Sequence, residues 1–236
     1  MINFFNYRKN IANPWPPQPY SQYGQDGIIR AIFDAIKKVN KFYVEFGAMN
    51  GINFSNTAKL REDHGWTGLL MDIDCIENPE INLYKEKITK ENILSLFRKY
   101  RVPKNLGFLC IDTDSNDYWF LKEILKEYSP SVIQTEINVN WGVNDSKSIK
   151  YDKNQKFGNP YGAYYGASGK AFEKLCNLYG YSVVCFDGFG DLFFVKKSFL
   201  PDDMKNMTLD LVLKNQGHSL PMAAHGGLKG GVWIDV

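Results

Sequence analysis

Phe42-Tyr43-Val44-Glu45-Phe46-Gly47-Ala48-Met49-Asn50-Gly51 decides how the rest of the chain is read. Aromatic and β-branched residues make a short buried-strand pattern, an acid lies near its end, and a glycine turn follows. A helix pattern comes next, and a second strand pattern, Gly68 to Asp72, ends in another acid. Strand, turn, helix and strand in that order argue for a parallel sheet with helices packed on it.

The alternation continues along the chain. Further predicted strands are Leu83–Ile88, Phe108–Asp112, Val132–Ile137, Ser182–Phe186 and Leu192–Val195. Predicted helices lie at Asn56–Asp63, Glu91–Tyr100, Tyr118–Tyr128 and Lys170–Tyr179, after an earlier one carrying Ile28, Ile29, Ile32, Phe33 and Ile36 at helical spacing. The first five strands alternate with helices, which predicts a mostly parallel sheet with helices on both faces. The last two are joined by the short Asp/Gly turn Asp187-Gly188-Phe189-Gly190-Asp191, which predicts a terminal antiparallel hairpin. Residues 1–20, with Asn13-Pro14-Trp15-Pro16-Pro17-Gln18-Pro19, are irregular and read as an extended arm over the body or an oligomer contact. Residues 138–166 are a long connection of the kind that carries function, and 200–236 a C-terminal tail. All of 1–236 is read as one domain.

Composition sets outer limits. The 236 residues are 44% hydrophobic and 23% charged, enough to bury a core. The net charge of +2 and the lack of a long Lys/Arg run argue against a nucleic-acid partner. Cys75, Cys110, Cys176 and Cys185 form no C-x-x-C pair and read as reduced thiols. No stretch approaches the ~20 apolar residues of a membrane span. The N-terminus lacks a signal peptide's basic start and apolar core, so a cytoplasmic protein is expected.

The acids carry the chemistry. Ligands of open α/β sheets bind at the carboxyl ends of the strands. Glu45 near the first turn and Asp72 after the second strand suit a nucleoside with a positively charged tail, such as S-adenosylmethionine. Glu45 alone reads equally as a helix cap or as a partner for the ligand's ammonium group, while Gly47 lets backbone approach a ligand closely. Asp72 suits the ribose hydroxyls, and Ile88 an adenine face. Asp112, Asp114 and Asp117 repel one another and call for a cation or a hydrogen-bond network. Asp112, Glu136 and Asn138 converge at neighbouring strand ends, where oxygen ligands suit Mg²⁺ or Mn²⁺; a metal-free network reads equally well. Aromatic and amide side chains between Asn140 and Ser168 suit a carbohydrate, with Trp141, Tyr164 and Tyr165 as contacts. His225 in the tail is a candidate base if that tail folds over the crevice.

Taken in order, Ser21–Gly27, Val44–Gly47, Asn56-Thr57, Gly65–Asp72, Ile111–Trp119, Gly180-Tyr181 and Phe193–Lys196 resemble the FkbM-like S-adenosylmethionine-dependent methyltransferases, especially a bacterial subgroup found with surface-polysaccharide genes. The resemblance implies a Rossmann-like class I methyltransferase sheet and methyl transfer to oxygen, often a sugar hydroxyl. The cofactor set becomes Gln22, Glu45, Gly47, Asn56, Asp72, Ile88 and Asp112, with Asp112 and His225 as catalytic candidates. The implied acceptor is a sugar or nucleotide-activated sugar of capsule or surface-polysaccharide synthesis. Another small acceptor, such as a phosphate derivative or lipid headgroup, and a non-catalytic binding module of the same fold are the alternatives. An NAD-dependent oxidoreductase is disfavoured by the missing third glycine and the antiparallel hairpin. Gln25 and Ser115 depart from the family pattern, which often carries Glu and Gly there.

Overall fold

A computed structural model of the chain describes residues 20–36, 38–155, 162–220 and 230–236. The main elements in order are α1 (Gln25–Ile36), β1 (Phe42–Phe46), α2 (Ala58–His64), β2 (Thr67–Asp72), β3 (Leu83–Lys85), α3 (Ile93–Lys99), β4 (Phe108–Ile111), α4 (Asp117–Ile124), β5 (Val132–Glu136), β6 (Lys147–Ile149), α5 (Gly169–Leu178), β7 (Tyr181–Phe186), β8 (Asp191–Lys196), α6 (Leu209–Gln216) and β9 (Trp233–Asp235).

Seven strands form one sheet in the order β3-β2-β1-β4-β5-β8-β7. β1 to β5 pair in parallel, and β8 runs antiparallel between β5 and β7. This is the Rossmann-like sheet with a terminal hairpin that the sequence predicts.

Alternation along the strands explains why both faces are covered. In β1, Tyr43 packs on one side while Val44 and Phe46 pack on the other; in β4, Phe108 and Cys110 oppose Leu109 and Ile111. Successive side chains point to opposite faces, so a strand buried on both reads as continuously apolar. α1 (Ile28, Ile29, Ile32) and α2 (Leu60) cover the first face. α3 (Phe97), α4 (Leu121), α5 (Phe172) and α6 (Leu209) cover the second.

Several predicted boundaries shift, each for a local reason. α2 starts at Ala58 rather than Asn56, because the Glu45 carboxylate accepts the Asn56 N–H at 2.7 Å and holds that residue outside the helix. β3 ends at Lys85, and Glu86, Lys87 and Ile88 turn away to line a cavity. α4 stops at Ile124, where tighter bonds follow, Lys126 N–H to the Glu123 carbonyl and Glu127 N–H to that of Ile124. The described residues of the connection 138–166 and of the tail carry regular elements. β6 from the first pairs antiparallel with β9 from the second, and α6 lies within the tail. Residues 1–19 of the proposed arm lie outside the described residues.

Phe172 is fully buried beneath α5. Phe172→Ala should cost about 3–5 kcal/mol of stability through lost burial and the cavity left behind. Urea unfolding checks this, and a loss well under 1 kcal/mol would contradict the packing.

Candidate functional site

The carboxyl ends of the parallel strands, the segment before α1 and the β7–β8 turn enclose a cavity of about 720 Å³. Small-molecule sites typically measure ~300–1,000 Å³.

The first turn shapes its floor. Gly47 has φ 69°, and a Cβ there would meet the Asp112 carbonyl oxygen at 1.8 Å. A side chain at this position is therefore doubly excluded, and the β1 and β4 loops close on each other. Beneath them, Glu45 is buried. It accepts from Ser55 Oγ at 2.8 Å, from the Asn56 N–H at 2.7 Å and from Thr57 Oγ1. It organises the approach to α2 and does not line the cavity.

Asp72 does line it. Oδ2 accepts from Met49 N–H at 2.9 Å and Oδ1 from Asp74 N–H at 2.8 Å, so the carboxylate is held at the end of β2 by backbone alone. Asn56 lines the same space; its Nδ2 donates to Cys110 Sγ at 3.6 Å, and its buried Oδ1 has no hydrogen-bond partner. Gln22, Ile88 and Tyr165, also predicted, stand on its walls too.

Across the cavity, Asp112, Asp114 and Glu136 each offer an oxygen, all within 4.8 Å of one another. Asp191 faces Glu136 across the β5–β8 pairing and joins the same wall. Gln25 Nε2 donates to both Asp187 Oδ2, at 3.1 Å, and Asp191 Oδ2, at 3.0 Å. Crowded carboxyls out of water resist ionising. Burial first, then the charge of Asp191, holds Asp112 well above the usual carboxylate range; burial and then Asp112 do the same to Glu136. Burial and then Asp187 push Asp191 up to about 7, with Gln25 and Gln134 beside it opposing the shift. Asp117 is pushed up to about 6 by burial, although it accepts from the Thr113 hydroxyl and from the N–H groups of Thr113 and Ser115.

Other predicted residues lie elsewhere. Asn138 does not join the carboxylates. Its Nδ2 donates to the Ala163 and Tyr165 carbonyls at 2.8 and 3.1 Å, and its Oδ1 accepts from Asn140, so it ties down the loop; Asp114 stands in its place beside Asp112 and Glu136. Trp141 and Tyr164 meet Trp233 edge-on, with centroids 5.1 and 5.2 Å away, and do not line the cavity. His225 lies outside the described residues. Sequence reasoning missed Tyr23, Gln25, Phe189 and Asp191 as wall residues. The acids flanking the Asp/Gly turn were a usable signal, since an antiparallel β8 begins at the edge where the parallel strands end.

No family model matches the sequence, and no curated protein does either. Among solved structures, the chain is similar to an O-methyltransferase family protein from Burkholderia thailandensis, at 6% identity over 73% of this chain and 57% of that one, with TM-score 0.38. A putative hemolysin from Streptococcus thermophilus is 13% identical over 86% of this chain and 76% of that one, with TM-score 0.43. Human N-acetylserotonin methyltransferase, in complex with SAM, is 12% identical over 82% of this chain and 55% of that one, with TM-score 0.39. The chain thus spans little more than half of the two methyltransferases. Likenesses this slight carry no argument, and the chemistry has to come from the residues.

Carboxyls raised by folding keep a proton that the unfolded chain gives up, so folded stability declines as pH climbs through the gap between the two states. For Asp117 and Asp191 that gap runs from the ordinary 3.8 to about 6 and about 7. The melting temperature should therefore fall as pH rises from about 4 to about 7. Asp117→Asn, which cannot ionise, should flatten the lower part of the slope; a melting temperature that rises across this window would contradict the assignment.

Proposed function

We propose that the protein is an S-adenosylmethionine-dependent O-methyltransferase whose acceptor is a sugar or nucleotide-activated sugar of surface-polysaccharide synthesis. The observation that carries the reading is the pairing of Asp72 with Asn56 in one cavity at the strand ends. A backbone-held carboxylate suits two ribose hydroxyls, and a buried Asn56 Oδ1 without a partner suits a ligand's ammonium hydrogen. Ile73 and Ile88 offer apolar surface to an adenine face beside them, and Gln22 and Gly47 border the same space. When bound, S-adenosylmethionine supplies an electrophilic methyl group on a sulfonium centre.

The chain's own task is then positioning and proton handling. Asp112 lines the cavity at the end of β4, where its ionised carboxylate would accept the proton leaving an acceptor hydroxyl. The donor set Asp112, Asp114 and Glu136 also fits a hard divalent cation, Mg²⁺ or Mn²⁺, which when bound would lower the pKa of that hydroxyl. His225 is a second candidate for the proton. Four buried cysteines outside any disulfide accord with a reducing, cytoplasmic setting, and no helix among the described residues is long and apolar enough to cross a membrane.

S-adenosylmethionine should raise the melting temperature by mass action. Asp72→Ala should weaken its binding by about 10–100-fold, the loss of charge-assisted hydrogen bonds. Calorimetry checks both, and no shift with the wild-type protein would overturn the cofactor reading. Exhaustive chelation should reduce turnover, with recovery on adding Mg²⁺ or Mn²⁺; full activity after chelation would leave Asp112 as proton acceptor without a metal. A non-catalytic module would bind the cofactor yet form no S-adenosylhomocysteine with any acceptor.

A further inference from the structure

Tyr23 and Phe189 stack at the edge of the cavity, with ring centroids 4.3 Å apart and planes 13° apart. They remain 46% and 52% exposed. Rings this large usually leave water on folding, and exposed aromatic area beside a pocket marks a contact surface.

The pair is held rather than loose. Asp187 Oδ1 accepts from the N–H groups of Phe189, Gly190 and Asp191 at 2.8, 2.9 and 3.0 Å, which fixes the turn that presents Phe189. Gln25 Oε1 accepts the Tyr23 N–H at 2.8 Å, while its Nε2 binds Asp187 and Asp191. Gln25 therefore joins the two pieces of chain that carry the rings.

Position separates this wall from Asp72, while Gln22 Nε2 donates to the Tyr23 hydroxyl at 3.0 Å between the two. β8 lies beyond β5 in the sheet, whereas β2, with Asp72, lies on the other side of β1. The ring pair shares its wall with Glu136 and Asp191. A ligand here meets flat apolar faces next to carboxylates, and a cyclic polyol matches both, with C–H groups on one face and hydroxyls at its edge.

We propose that Tyr23 and Phe189 form the acceptor platform and set specificity. They take the C–H face of a polyhydroxylated ring and so select which hydroxyl reaches Asp112 and Glu136. The inference rests on the O-methyl transfer reading.

The test measures S-adenosylhomocysteine release with a panel of UDP- and dTDP-sugars, with catechol as a flat ring lacking an aliphatic C–H face. Phe189→Ala and Tyr23→Ala should raise the acceptor KM about tenfold, in line with the loss of one aromatic stack. In Phe189→Ala the S-adenosylmethionine Kd should stay within about twofold of wild type, which also shows that this variant has folded; for Tyr23→Ala, whose hydroxyl accepts from Gln22 in the wild type, a wild-type melting temperature shows that it has folded. Phe189→Tyr should restore the acceptor KM. A KM within about twofold of wild type in both alanine variants would overturn the platform. So would turnover of catechol alone, or cofactor binding with no turnover across the panel. Failure of the wild-type protein to bind S-adenosylmethionine would instead remove the underlying reading.

Discussion

The cavity depends on how closely the β1 loop presses on the β4 loop. At Gly47 there is no room for a methyl group between the backbone and the Asp112 carbonyl, and the backbone adopts a conformation that side chains disfavour. That contact sets Asp112 at the floor. From there the neighbouring strands follow by register, since β4 pairs with β5 and β5 with β8, bringing Glu136 and Asp191 to the same edge. One missing Cβ thus fixes the spacing between the side that carries Asp72 and the side that carries the acids.

The sheet was legible because its strands are buried on both faces and read as apolar runs separated by helices. Boundaries were less so, because side chains distant in sequence decide them. Glu45 shows how. A strand-ending acid faces either a ligand or the loop beneath it, and the donors at Ser55, Asn56 and Thr57, about ten residues on, settle the question in favour of the loop. Asp72 carries no such cluster of side-chain donors, and the sequence reading placed it at the strand end where it stands.

Residues whose partners lie far away were not legible. Trp141 and Tyr164 looked like carbohydrate contacts until Trp233 came into place beside them. Asn138 looked like a metal ligand, but its amide is occupied by the loop's carbonyls. Gln25 meets Asp191 across 166 positions of sequence, and no local pattern announces it. The presence of Gln there has a physical rationale: an amide donates to two carboxylates at once, whereas an ionised Glu would add a third like charge.

The β6–β9 pairing ties one wall of the cavity to the far end of the chain. Ser146 Oγ donates to the Val236 carbonyl across 90 positions, and Lys147 pairs with Asp235. Contacts this distant in sequence are slow to form, because a long loop must close before any bond rewards it. The seven-stranded sheet uses no residue beyond Lys196. During synthesis it can assemble first, while the β6–β9 pairing waits for residues 233–235 to arrive. The order of translation thus separates making the large sheet from closing the small one.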